Sequence, residues 1–189
     1  MRKMLLTLWT TLLVTFIQAQ EHMTFKDIPM DCNLTTYISK LKAKGYKVVL
    51  EQEDAAALSG TFAGKDDCTI LVFCTATSKI VWKVIVDFPE RTTWSALKSE
   101  YNTFKESYTN KYGQPESFEY FSKPYYEGDD YELQALRLEK CTYSSYYDTP
   151  LGYISLQIHK DQYIRVTYED AINVKIKNDE KENAISNDI

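Results

Sequence analysis

The sequence predicts an α+β protein in which helices pack on one face of a mostly antiparallel sheet. Two segments place apolar residues at helical spacing, and strand-like segments joined by short turns follow each of them. Short connections join antiparallel neighbours, because parallel strands need a long crossover. Helices and strands segregated in this way are typical of the α+β class.

The first half of the chain reads as a short strand, a helix and a meander of strands. After a strand at about 23–28, Asn33 can cap a helix that Gly45 ends. Its apolar stripe follows the i, i+3, i+4, i+7 rule and consists of Leu34, Tyr37, Ile38 and Leu41. Turn residues separate the strand-like segments that follow, at about 46–53, 56–63, 68–76 and 80–88.

The second half repeats this order. A helix begins beyond Pro89, with Thr92 or Thr93 as its cap, and stops at Gly113. Its stripe consists of Trp94, Leu97, Tyr101, Phe104, Tyr108 and Tyr112. Strands are expected at about 117–122, 131–146, 153–159 and 163–169, and the last two alternate apolar and polar residues as a half-buried hairpin does.

A weak internal repeat underlies this order. The segment Asp27–Pro29 and the helix after it match Asp87–Pro89 and its helix at an offset of sixty residues. In each copy proline stops the incoming strand and presets the turn into a helix. A match this short can arise by chance, so both duplication and coincidence stay open. Duplication would give two helix-plus-meander halves, 20–88 and 89–176, within one domain spanning 20–176.

The chain begins with the pattern of a secretory signal peptide over residues 1–19. Arg2 and Lys3 precede the apolar run 4–17, and the small residue Ala19 marks a cleavage site. The alternative, an uncleaved membrane anchor, is disfavoured because a helical span needs about 20 apolar residues. No cysteine follows the cleavage site, so a lipid anchor is not expected. The sequence predicts an exported, periplasmic or secreted protein that does not insert into the membrane.

Charge excludes some partners. The net charge of the whole chain is −5, and removal of Arg2 and Lys3 leaves 20 basic residues against 27 acidic ones, a net −7. A surface of that sign repels phosphate, which argues against nucleic-acid binding. The polar segment 177–189 is expected to be a flexible tail.

The four cysteines, Cys32, Cys68, Cys74 and Cys141, allow disulfides in an exported protein. Cys68 and Cys74 lie on one strand and are too far apart to bond. We expect a Cys68–Cys141 disulfide, and the alternative is that all four thiols are reduced. No Cys-x-x-Cys motif or histidine cluster indicates a metal or any other cofactor.

Tyrosines are concentrated in the second half. Ten of fifteen lie between Tyr120 and Tyr168, and two adjacent pairs, Tyr125–Tyr126 and Tyr146–Tyr147, stand beside turn residues. Neighbours on a strand point to opposite faces, so one ring of each pair should reach solvent. Exposed tyrosine suits protein or carbohydrate recognition, whereas tyrosines that only cover the core edge would have no such role. We take these four tyrosines as candidate contact residues.

Several segments resemble those of a known family. They are the Asp27–Pro29 entry into the first helix, its Lys42–Tyr46 exit, the hairpin segment Gly60–Gly64, the Phe88–Trp94 start of the second helix and its Lys111–Pro115 exit. Together they resemble a family of small secreted Bacteroidales proteins with no assigned activity. The layout is also similar to β-lactamase-inhibitor-protein-like folds and to outer-membrane-assembly lipoproteins, although a lipidated cysteine is missing. The resemblance implies a binding role.

No catalytic motif is present, and the leading hypothesis is a non-enzymatic binding module for another exported protein or a glycan. A small hydrolase is the alternative, because two carboxylates drawn from separate strands leave no sequence motif. A third class is an inhibitor or envelope-assembly protein. A deep pocket with two nearby carboxylates would favour the hydrolase, and a flat aromatic face would favour binding.

Overall fold

The computed structural model describes residues 21–188. Its order is β1(Thr24–Phe25), β2(Ile28–Pro29), α1(Leu34–Ala43), β3(Lys47–Glu51), β4(Ala55–Phe62), β5(Lys65–Cys74), β6(Val81–Asp87), α2(Trp94–Tyr112), β7(Glu116–Phe121), α3(Glu132–Arg137), β8(Cys141–Thr149), β9(Gly152–His159), β10(Tyr163–Asp170) and α4(Ala171–Asp188). The predicted α+β class is confirmed. The signal peptide predicted at residues 1–19 lies outside the described residues.

Eight strands form one antiparallel sheet in the order β3-β4-β5-β6-β10-β9-β8-β7. Helix α1 precedes the meander β3–β6, and α2 precedes β7–β10. The last strands of the two meanders, β6 and β10, pair at the centre of the sheet. This topology has the predicted layout of helix plus meander in both halves, and an internal duplication stays a prediction.

One face of the sheet carries the core. A row of buried apolar side chains crosses it from Leu58 through Ile70, Val86 and Val166 to Leu156. The buried stripes of α1 and α2 belong to the same core cluster. The caps are those the sequence predicts, since the side chains of Asn33 and Thr93 accept hydrogen bonds from backbone N–H groups in the first turns. We call the other side of the sheet the open face.

The predicted strand at 131–146 is wrong in its first part. Residues Glu132–Arg137 form the short helix α3, and strand β8 begins only at Cys141. The segment Glu-Leu-Gln-Ala-Leu-Arg consists of strong helix formers, and alternation starts only after it. The predicted strand at 23–28 is likewise split, because Lys26 and Asp27 have positive φ angles and form a turn.

Where the sequence predicts a flexible tail from residue 177, the structure has helix α4, which runs to Asp188. The buried carboxylate of Asp170 accepts a hydrogen bond from the Asn173 N–H at 2.8 Å and so caps the helix start. Further along, the Glu180 carboxylate accepts hydrogen bonds from the N–H groups of Thr77 and Ser78 at 2.8 and 3.0 Å. These hydrogen bonds at the start and in the middle of α4 hold the polar helix against the rest of the protein.

The expected Cys68–Cys141 disulfide does not form, and all four thiols are free. Cys68 lies on β5 and Cys141 on β8, four strand positions apart in the sheet. At about 4.8 Å per strand that separation is roughly 19 Å, whereas a disulfide needs Cα atoms within about 7 Å. Burial raises the pKa of the Cys141 thiol to about 12.

Among the described residues, no helix is both long enough and apolar enough to cross a membrane.

Candidate functional site

The four candidate tyrosines do not form one surface. Tyr147 is only 1% exposed, and its hydroxyl donates to the Lys105 carbonyl oxygen at 3.1 Å, so it belongs to the core beneath α2. Tyr125 packs against the core on the α3 side, where its hydroxyl accepts a hydrogen bond from Gln134 at 3.1 Å. Tyr126 is 64% exposed in the same loop. Of the four, Tyr146 is the one on the open face.

Tyr146 is the middle ring of three on neighbouring strands. Its ring centroid lies 5.9 Å from that of Phe118 on β7, edge to face, and 5.8 Å from that of Tyr153 on β9, stacked. The register places the three residues diagonally across β7, β8 and β9 on the open face. We call Phe118, Tyr146 and Tyr153 the aromatic row. It presents a line of ring edges and faces at the surface.

Sequence reasoning missed Phe118 and Tyr153. Tyr153 is next to the buried Ile154, and neighbours on a strand point to opposite faces, so this alternation alone could have placed Tyr153 on the open face. The same rule separates Tyr146 from Tyr147. It could not show that the three rings meet, because their contact depends on the register of three strands.

Beside the aromatic row, strands β8 and β9 separate. Their ladder ends at the pair Ser144–Gln157. Beyond it β8 stays paired with β7 as far as Cys141, and β9 stays paired with β10 as far as His159. A cavity of about 390 Å³ opens in the gap, which we call the fork cavity. Strand backbone that faces this gap lacks a partner strand and is available to a ligand.

The fork cavity has mainly neutral polar walls. Thr142 and Ser144 contribute hydroxyls, Gln157 contributes an amide, and Tyr146 lines both the cavity and the aromatic row. The sole carboxylate among its described lining residues is Glu139, which pairs with Lys160 at 3.1 Å. Such walls can donate to and accept from hydroxyl groups of a ligand.

His159 also contributes a polar side chain to the cavity wall. Its ring stacks on Tyr163 with a centroid distance of 4.5 Å, and its Nδ1 accepts a hydrogen bond from the Asp161 N–H at 3.3 Å. Burial and the nearby Arg165 lower its pKa below the usual value. The Asp161 carboxylate lies at the same distance of 3.3 Å from Nδ1, and a neutral imidazole offers a ligand one N–H donor and one acceptor nitrogen.

Charged groups at the centre of the open face are paired with one another. Arg165 holds Asp87 through two hydrogen bonds of 2.6 and 2.7 Å. Lys83 pairs with Glu169 at 2.7 Å. The bidentate ion pair fixes the side chains of Arg165 and Asp87 in one geometry.

The described residues contain no group of three or more His, Cys, Asp or Glu side chains that could hold a metal ion.

In comparisons with protein families, with curated proteins and with solved structures, no match to this chain is found.

Proposed function

We propose that this protein is an exported binding protein, without catalytic activity, that holds a glycan on the open face of its sheet. The observation that carries the proposal is the aromatic row of Phe118, Tyr146 and Tyr153 beside the polar fork cavity. Three rings at regular spacing and a cavity of neutral hydrogen-bonding groups occur together on one surface.

The chemistry of this surface suits a sugar chain. One face of a pyranose ring is lined by C–H groups that pack on aromatic rings, while its hydroxyls need donors and acceptors. The aromatic row offers the first kind of contact. The hydroxyls of Thr142 and Ser144 and the amide of Gln157 offer the second. Burial, together with the neighbouring Tyr146, raises the pKa of Tyr153 to about 12, so its phenol stays a neutral donor near pH 7.

Nucleic acid is a poor alternative for this surface. The chain carries a net charge of −5, and Glu116 and Asp148 flank the aromatic row in the ladder. Phosphate groups would be repelled there. A glycan without phosphate meets no such penalty.

The hydrolase hypothesis receives less support. Glu106 and Glu127 both line one surface depression of about 510 Å³, and a glycosidase would need two carboxylates within about 10 Å of each other. However, the hydrogen bond from Lys98 lowers the pKa of Glu127. A general acid requires a raised pKa, so this environment favours the opposite protonation state.

Export is part of the proposal and has the predicted signal peptide as its support. The resemblance to secreted Bacteroidales proteins agrees with an extracellular or periplasmic ligand. An exported protein partner, as in the inhibitor-like layout, is the competing ligand class.

The test is binding of the purified protein to an array of bacterial, plant and mucin oligosaccharides, followed by calorimetry on any hit. We expect Tyr146→Ala to weaken binding by at least about tenfold, or 1.4 kcal/mol. The matched control is Tyr126→Ala, because Tyr126 is exposed and its neighbour Glu127 is paired with Lys98 of α2, on the helix side of the sheet. It should leave the affinity unchanged.

Two results would overturn this assignment. If no oligosaccharide binds while a pull-down from the envelope fraction recovers a protein partner, the ligand class is wrong. If Tyr126→Ala reduces glycan affinity and Tyr146→Ala does not, the site is wrong.

A further inference from the structure

The two outer strands of the sheet differ in their ability to accept another strand. β3 is irregular, because its register with β4 shifts between Val48 and Leu50. β7 pairs with β8 without interruption from Glu116 to Phe121 and contains no proline and no lysine. Bulges, prolines and charged side chains are features that protect exposed edges from pairing. Of these, the β7 edge carries only the carboxylates of Glu116 and Glu119.

Side chains of β7 are exposed on both faces. Phe118 and Tyr120 are 42% and 52% exposed on the open face, next to Glu116. On the other face, Glu119 is held by Lys105 at 2.6 Å, so its charge is compensated. Within residues 21–188, the strand therefore presents two large aromatic rings and one carboxylate without an ion-pair partner, beside an outer row of backbone groups that no strand covers.

We propose that a second copy of this chain pairs with the β7 edge in antiparallel register, with Phe118 on the two-fold axis. In this register Phe118 lies opposite Phe118 of the second copy, Glu116 opposite Tyr120, and Ser117 opposite Glu119. Each pair is favourable: ring with ring, carboxylate with phenol, and carboxylate with hydroxyl. Of the three, the aromatic pair on the axis is of the kind known to stabilise neighbouring strands.

Neighbouring registers are worse. Centring the pairing on Glu119 places two carboxylates directly opposite each other, which is destabilising. Centring it on Ser117 shortens the ladder and sets Phe118 against Glu116. The sequence of β7 is thus complementary to itself in one register. A preformed second strand also loses less conformational entropy on pairing than a disordered peptide would.

Such a dimer would join the two aromatic rows. Phe118 ends the row at the sheet edge, so its symmetric copy continues the line of rings across the axis. This consequence rests on the proposed glycan binding, whereas the dimer itself does not. Each copy carries net negative charge, so salt should strengthen association by screening that repulsion.

The experiment is sedimentation velocity on protein purified after expression of the full chain, without glycan, over about 1–100 µM. We expect a concentration-dependent dimer. Phe118→Lys places two cations at the axis and should weaken the dimer by more than about tenfold. Its matched control is Val49→Lys on the other edge strand, where the same change at a 68% exposed valine should leave the dimer intact.

A compensated pair of variants keeps the test independent of folding. Tyr120→Glu sets two carboxylates opposite each other and should dissociate the dimer, and addition of Glu116→Lys to that variant should restore it. A monomer over the whole concentration range overturns the proposal. Loss of the dimer in Val49→Lys but not in Phe118→Lys overturns it in favour of the β3 edge. Failure to dimerise would leave single-copy glycan binding unaffected, so the two proposals fail separately.

Discussion

Tyr146 and Tyr147 are adjacent in sequence, and we predict opposite consequences when each is replaced by alanine. Tyr147 is 1% exposed, packs against Tyr108 at 5.9 Å and Tyr112 at 6.4 Å, and donates a hydrogen bond into α2. Tyr146 lies on the open face and contacts two rings there. The first substitution should therefore affect stability, and the second should affect binding.

The magnitudes follow from burial. Removing a fully buried aromatic ring costs about 3–5 kcal/mol, because the lost transfer free energy is joined by a cavity, so Tyr147→Ala should cost about 4 kcal/mol. Tyr147→Phe removes only the hydroxyl and should cost about 1 kcal/mol. Tyr146→Ala forfeits surface ring contacts and should cost about 1 kcal/mol.

Urea unfolding followed by circular dichroism measures these differences. With an m-value of about 2 kcal/mol/M, the midpoint should fall by about 2 M for Tyr147→Ala and by about 0.5 M for Tyr146→Ala. Equal shifts for the two alanine variants would refute the assignment of the two rings to opposite faces. A larger shift for Tyr146→Ala than for Tyr147→Ala would mean that Tyr146, and not Tyr147, lies on the core face of the sheet.

Three further predictions concern the backbone, the thiols and the alkaline limit. Gly152→Ala should lower stability by more than about 2 kcal/mol in thermal unfolding, since an added Cβ would lie 1.9 Å from the Glu169 carbonyl oxygen; an unchanged Tm would contradict this. At pH 8, native protein should react with iodoacetamide at the partly exposed Cys32 before the buried Cys141, whose pKa is about 12. An intact mass two hydrogens below that of the fully reduced protein would instead reveal a disulfide. Burial raises the pKa of Tyr46 from 10.0 to about 12, so the stability that this group contributes is complete below pH 10 and is lost as the pH rises through 12. The Tm should therefore fall over this range, and it should fall less in Tyr46→Phe; a flat Tm from pH 9 to 12 would refute the prediction.

Local sequence patterns predicted much of the fold. The caps Asn33 and Thr93 and the helix stripes were predictable because helix periodicity and capping depend on residues three or four apart. The alternation of Ile154 and Ile158 with polar neighbours gave the buried face of β9 for the same reason. The short helix α3 was missed because six residues are too few for a periodic signal.

The site depended on contacts that no local pattern contains. Parity could assign Tyr147 and Tyr146 to opposite faces, yet it did not say which face the helices cover. The Cys68–Cys141 prediction failed because strand order, which the sequence does not state, sets their distance. The fork cavity exists because, beyond the pair Ser144–Gln157, β8 stays paired only with β7 and β9 only with β10.

The sequence by itself determined the α+β class, the two long helices and most strands, because hydrophobic period and turn chemistry act over a few residues. Tertiary structure alone decided that Phe118, Tyr146 and Tyr153 form one row beside a polar cavity, and that β7 is the regular edge. Register and strand order bring together residues up to 35 positions apart, and the free energy that selects them comes from packing the whole core at once.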